Sequence, residues 1–207
     1  MADKYSTFSE LVRSEQAEAF RVEIQDAKSR VAVIAPHGGG IEPGTSEVSR
    51  AIARHNFSLY LFEGMKRQAN SDLHITSTKF DEPRCLALVQ SVDFAVAVHG
   101  EGGDLDVAYL GGRNVEWGER LQIELHERGF RVERHSSSLL QGTDPANVCN
   151  RCASGLGLQL ELGAGLRRTF FKSLSSSAAR LRTTERFAIF TEGVRSVLAQ
   201  QVQQLKG

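Results

Sequence analysis

Cysteine is scarce in this chain: only Cys85, Cys149 and Cys152 occur among 207 residues. So odd and sparse a set does not make a disulfide framework and suits a reducing compartment. Neither sign of charge is in excess, because 25 Lys and Arg offset 25 Asp and Glu. No global field therefore draws the chain to nucleic acid or to an anionic membrane, and neither is expected as a partner. No apolar run approaches the ~18 residues that a spanning helix needs. Residues 1–20 are polar and lack the apolar segment of a secretory signal, so synthesis in the cytoplasm as a soluble protein is expected. Internal repeats are not visible. The length suits one domain over residues 1–207, with a core that needs no structural staple, and a monomer is expected.

What the chain does contain is a steady alternation. Apolar runs at 31–35, 59–62, 94–98, 107–110, 130–132 and 158–162 read as strands. Helical patterns fit 45–55, 83–90, 114–128 and 186–205. This rhythm predicts an α/β fold, three layers α/β/α around a mostly parallel or mixed central sheet. The first of these helices opens on Thr45 as an N-cap hydroxyl, with Glu47 in its first turn. The serine-rich stretch 172–184 reads as a surface connection.

The chemistry concentrates where Ala35-Pro36-His37-Gly38-Gly39-Gly40-Ile41-Glu42-Pro43-Gly44 follows the run at 31–35. Open α/β sheets gather ligands at the C-terminal edges of their strands. A glycine-rich turn can bring His37 and Glu42 to one point, as two ligands of a hydrolytic zinc site that also needs a third and an open position for water. His99 repeats the layout, since it ends the run at 94–98 and precedes Gly100. An isolated histidine is more often an ordinary hydrogen-bonded residue; the repeated strand-end placement beside a carboxylate favours ligation. A hydrolase of this type also needs a carboxylate that is not a ligand, to move the proton. Glu161, in Gly157-Leu158-Gln159-Leu160-Glu161-Leu162-Gly163, fits that role, and equally fits the outward member of an alternating strand.

These residues resemble the phage poly-γ-glutamate hydrolases and their bacterial relatives. The resemblance is carried by the 35–47 block, Leu73-His74-Ile75-Thr76-Ser77, Phe80-Asp81-Glu82-Pro83, His99-Gly100, Gly111-Gly112, Asn147-Val148-Cys149-Asn150-Arg151 and Gln159-Leu160-Glu161-Leu162. It implies a zinc carboxypeptidase-like fold, Zn2+ held by His37, Glu42 and His99, and Glu161 as general base. Four residues separate His37 from Glu42, against two in the His-x-x-Glu of the larger carboxypeptidases. Asn150 and Arg151 are similar to the Asn-Arg pair with which zinc carboxypeptidases hold a substrate carboxylate, a task suited to a guanidinium fork; a solvated arginine at a helix end is the plainer reading. His74 could touch a ligand or substrate, or simply satisfy backbone groups. The implied substrate is an anionic γ-glutamyl polymer or peptide-like compound, and a phage-encoded enzyme would be released by host lysis.

Three rival readings compete for the same residues. His37-Gly38-Gly39-Gly40 also looks like an esterase oxyanion loop, yet no Gly-x-Ser-x-Gly elbow accompanies it. A dinucleotide fingerprint fails because Pro43 stands where a glycine is wanted. A non-catalytic binding relative is disfavoured by retention of all three ligands and Glu161. Cys149 and Cys152 have Cys-x-x-Cys spacing without a second pair, so packing is their expected role. Asp104 and Asp106 are left as solvated loop acids. The glycines after His37 carry a last expectation: a bulky β-branched residue at Gly39 or Gly40 should weaken zinc binding before it weakens the fold.

Overall fold

The computed structural model describes residues 3–204. Its seven strands are β1 (Phe20–Gln25), β2 (Val31–Gly39), β3 (Ser58–Gly64), β4 (Phe94–Glu101), β5 (Ala108–Gly112), β6 (Val132–Arg134) and β7 (Leu158–Gly163). They form one sheet in the order β1-β3-β2-β4-β7-β5-β6. The inner strands run parallel, whereas β1 against β3 and β5 against β7 are antiparallel. The sheet is therefore mixed, as expected.

Period-2 alternation along the strands builds two cores. Val31, Val33 and Ala35 of β2, with Phe94, Val96 and Val98 of β4, pack on one face. That face is covered by α2 (Thr45–Ala53), α4 (Val115–Glu127), α5 (Ala164–Phe170) and α7 (Glu185–Gln204). Ala32, Ile34, Ala95 and Ala97 point to the other face, toward Leu11 of α1 (Phe8–Ser14) and Cys85, Leu88 and Val89 of α3 (Pro83–Gln90). The result is three layers, α/β/α. Among the described residues no helix is long and apolar enough to cross a membrane.

Three local readings need correction. Strand β1 has no counterpart among the expected strands, because it interleaves Arg21 and Glu23 with half-buried Phe20 and Val22 and exposed Ile24. Helix α2 is capped by Gly44 at φ +102°, and the Thr45 hydroxyl instead donates to the Glu42 carbonyl at 2.9 Å. The 172–184 stretch is not merely a surface connection. It contains α6 (Ser177–Arg180), whose buried Arg180 donates to Glu47 Oε1 at 2.7 Å and to the Gly39 carbonyl at 3.4 Å. Leu205, expected at the end of the last helix, lies outside the described residues.

The connectivity creates a crevice. After β2 the chain crosses by α2 to β3 on one side, whereas β4 borders β7 on the other, so the strand order switches between β2 and β4. These two strands pair only as far as Ile34 and Ala97. Beyond that point β2 bulges between Ala35 and Gly38 and follows β3 to Gly64. The C-terminal ends splay apart, and ligands bind at such switch points.

Candidate metal centre

His37 stands on β2 just past the splay, in the strand itself rather than on the following loop as expected. His99 ends the apolar run of β4. Glu42 comes from the tight turn after β2, where the Glu42 amide donates to the His37 carbonyl at 2.9 Å. His37 Nδ1 lies 3.1 Å from Glu42 Oε1 and 3.0 Å from His99 Nδ1. One ligand atom from each of the three residues falls within 4.8 Å of the others.

The outer partners orient these atoms. His37 Nε2 is 2.8 Å from the Ile75 carbonyl, which can only accept, so Nε2 carries the proton. Nδ1 is turned toward a carboxylate oxygen and a second imidazole nitrogen, and with a single proton on the ring it is a bare lone pair. Acceptors do not face acceptors in a buried site without a cation or a shared proton between them. Glu42 Oε2 accepts the Gly100 amide at 2.7 Å, and His99 Nε2 lies 3.4 Å from Ser77 Oγ. Burial pushes the Glu42 carboxyl up, but His37 and His99 more than reverse this and hold it below its ordinary value. Burial lowers the His99 imidazole, yet Glu161 and Glu42 raise it overall. Two imidazoles and one carboxylate are a donor set that zinc accepts, so the residues fit the group.

Glu161 pairs with His99 in the β4–β7 register and lies on the same face of the sheet. It is buried, and burial lifts its carboxyl to about 7; Glu42 and Glu101 add to the rise while His99 and Arg167 oppose it. Gln159, two residues before it on that face, donates from Nε2 to Glu161 Oε1 at 2.9 Å. The amide of Gln159 is itself fixed, since its Oε1 accepts Asn147 Nδ2 at 2.8 Å.

Several contributors are not legible in the sequence. Buried Arg167 donates to the carbonyls of Leu162, Pro43 and Glu101 at 2.9, 2.7 and 2.8 Å, tying the Glu42 turn to the ends of β7 and β4. Gln159 and Asn147 look like ordinary strand and loop polar residues. Their one advance signal is their place inside the blocks that carry the family resemblance. His74 stacks on His37 with ring centroids 3.9 Å apart, and its Nε2 lies 3.9 Å from Glu42 Oε1.

His37, Glu42, His74, His99, Gln159 and Glu161 border a cavity of about 1080 Å³. Its walls carry the hydroxyls of Thr76, Ser77, Thr78, Ser137, Ser138 and Thr143, and among the described residues neither Lys nor Arg lines it. Asn150 and Arg151 lie outside it. Asn150 Nδ2 donates to the Gly142 and Asp144 carbonyls, each at 2.8 Å. Arg151 donates to the carbonyls of Ala146, Thr78 and Phe80. Both brace the cavity wall from behind, so the carboxylate-holding role expected of them is not carried forward. Asp104 and Asp106 pair with Arg168 and Arg186 at the surface, and the three cysteines are free and buried.

The esterase reading loses its machinery here. The Gly39 amide is taken by Ser46 Oγ at 2.9 Å and the Gly40 amide by the Gly64 carbonyl at 2.9 Å. The Gly39 and Gly40 amides are therefore not free to cradle an oxyanion. The glycine expectation also changes. Gly39 has φ +66°, and a Cβ there would sit 2.6 Å from the Gly64 carbonyl oxygen of β3. Gly39→Val should therefore part β2 from β3 and lower the Tm by several degrees along with zinc binding, measured by thermal unfolding with and without chelator. At Gly40 the three atoms nearest to a Cβ all belong to the Asn70 side chain, the closest at 2.5 Å, and there zinc binding is still expected to weaken before the fold.

A candidate metal centre at the C-terminal edge of a mixed α/β sheet is the class of site this structure defines. The chain belongs to the poly-gamma-glutamate hydrolase family, whose model matches residues 5–193. It is 39% identical over 175 residues to the SPbeta prophage-derived protein YoqZ of Bacillus subtilis (strain 168), covering 84% of this chain but 64%, less than two thirds, of that relative. It is 37% identical to YndL of the same organism over 92% of this chain and 75% of the relative. A solved bacteriophage poly-gamma-glutamate hydrolase superposes with a TM-score of 0.93 at 33% identity, covering 98% of this chain and 100% of the other. A structure described as YNDL-apo (Zinc-free) gives 0.93 at 35% identity, over 97% and 99%. An N-formylglutamate amidohydrolase from Ralstonia eutropha shares the fold alone, with a TM-score of 0.54 at 13% identity over 90% and 99% of the two chains.

Proposed function

We propose that this protein is a zinc-dependent hydrolase of γ-glutamyl amide bonds, with poly-γ-glutamate as its substrate. The observation that carries the reading is the convergence of three potential ligand atoms, from His37, Glu42 and His99, in a cavity that the buried Glu161 also lines. The family match and the zinc-free description of a relative's structure support it.

His37, Glu42 and His99 would hold the ion. Zinc, when bound, lowers the pKa of its water to about 7 and polarises a carbonyl as a Lewis acid. Glu161 is the proton carrier: with Oε1 occupied by Gln159, Oε2 takes a proton from the attacking water and returns it to the departing amine nitrogen. A pKa near the operating pH suits both directions of that transfer. The α-carboxylates of the polymer would meet the hydroxyl-rich walls, and His74 would contact the substrate from the side of His37. Arg167 keeps the Glu42 turn in place without reaching the cavity.

The test compares poly-γ-glutamate with poly-α-glutamate by size-exclusion chromatography after incubation with the zinc-loaded protein. Shortening of the γ-linked polymer alone is expected. Equal cleavage of both, or of neither, would overturn the substrate assignment.

A further inference from the structure

Asp3, which precedes the residues matched by the family model, contacts two residues of the cavity wall, His74 and Thr76. Its side chain is partly buried, and both oxygens are engaged. Oδ1 lies 2.7 Å from His74 Nδ1, while Oδ2 accepts both the amide and the hydroxyl of Thr76, each at 2.6 Å. Burial pushes the Asp3 carboxyl up, but the Thr76 bonds and His74 outweigh it and keep Asp3 ionised. An ionised carboxylate can only accept. The proton on His74 is therefore committed to Nδ1, and Nε2 alone faces Glu42 and the cavity.

We infer that Asp3 is a positioning residue, which locks the His74 ring and its tautomer so that Nε2 is presented to the substrate. The inference rests on the hydrolytic reading above, and it adds a residue with its task. Carboxylate–imidazole pairs orient rings in this way at other active sites, where loss of the correct tautomer slows turnover without disturbing the fold.

The geometry makes Asp3→Asn an unusually informative change. The Thr76 amide can only donate, so the introduced side-chain amide must keep its oxygen there and turn its NH2 toward His74 Nδ1. That forces the proton onto Nε2. Asp3→Ala breaks all three bonds yet leaves the tautomer free. A purely structural role would make the alanine variant the worse of the two; a tautomer lock makes the asparagine variant worse.

The experiment uses the full zinc-loaded chain in its parent, D3N and D3A forms. Imidazole nitrogen NMR, with the His74 signal assigned by its loss in His74→Gln, reads the tautomer. Kinetics on poly-γ-glutamate read kcat and KM separately, with Tm and zinc content alongside. We expect Nδ1–H in the parent and Nε2–H in D3N. We also expect kcat about tenfold lower or more in D3N, with a smaller loss in D3A, KM within about twofold and zinc content unchanged. An unchanged tautomer in D3N, or a kcat loss that tracks Tm and is larger in D3A, would overturn the inference. If the parent cleaves no poly-γ-glutamate, the hydrolytic reading fails, while the tautomer measurement still decides the role of Asp3.

Discussion

Replacing Glu161 by Gln is expected to lower kcat by about 10²- to 10⁴-fold, the usual contribution of a positioned acid–base group, while the protein still binds zinc. Glutamine matches the shape of Glu161 and can accept the Gln159 bond, but it cannot take a proton. The same change should stabilise the metal-free protein. The folded carboxyl titrates near 7 rather than at the ordinary 4.5, because burial disfavours its charge. Between those values the folded protein holds a proton that the unfolded chain has released, so stability falls as pH rises through that window. A shift from 4.5 to about 7 corresponds to a penalty on the order of 3 kcal/mol, fully present above pH 7 and absent below about 4.5. Glutamine never carries the charge. Denaturant unfolding in chelator should find E161Q more stable than the parent at pH 8 and similar to it at pH 4.5. A variant that loses zinc, or one less stable than the parent at pH 8, would show that Glu161 has been given the wrong role.

The second large effect is expected at the ligands. His99→Ala removes one of three donors and should weaken zinc binding by more than the 10- to 100-fold typical of losing an outer partner, with turnover lost at ordinary zinc concentrations. His37→Ala should do the same and cost the fold more. His37 Nε2 satisfies the buried Ile75 carbonyl and its ring stacks on His74, whereas His99 Nε2 reaches only Ser77 at 3.4 Å. An unpaired buried carbonyl costs about 1–3 kcal/mol. Thermal unfolding of the two metal-free variants should therefore rank His37→Ala below His99→Ala, and metal analysis should find both depleted. Full zinc occupancy in either would remove that histidine from the ligand set.

The centre is legible in the sequence where its signals are local. His37 and His99 each end an apolar run, Glu42 follows His37 through glycines, and Glu161 interrupts an apolar strand with a charge. Strand ends and turns announce such residues because neighbours in sequence set their geometry. What supports them is not legible, since it comes from afar: Arg167 reaches Pro43 across 124 positions and Asp3 reaches His74 across 71. Asn150 and Arg151 show the opposite failure. Their residue types match a carboxylate-binding pair, but side-chain direction depends on which carbonyls lie within reach, and here those belong to the cavity wall. Strand β1 escapes a reading by apolar runs because an edge strand need not be apolar.

Hydrolysis is expected to depend on an ion held by His37, Glu42 and His99. The most direct test of this dependence is the chain length of poly-γ-glutamate after incubation with protein stripped of metal by chelation, then with the same protein reloaded with one equivalent of zinc. The polymer should stay intact in the first case and shorten in the second. Equal shortening by the stripped protein would mean that hydrolysis needs no metal.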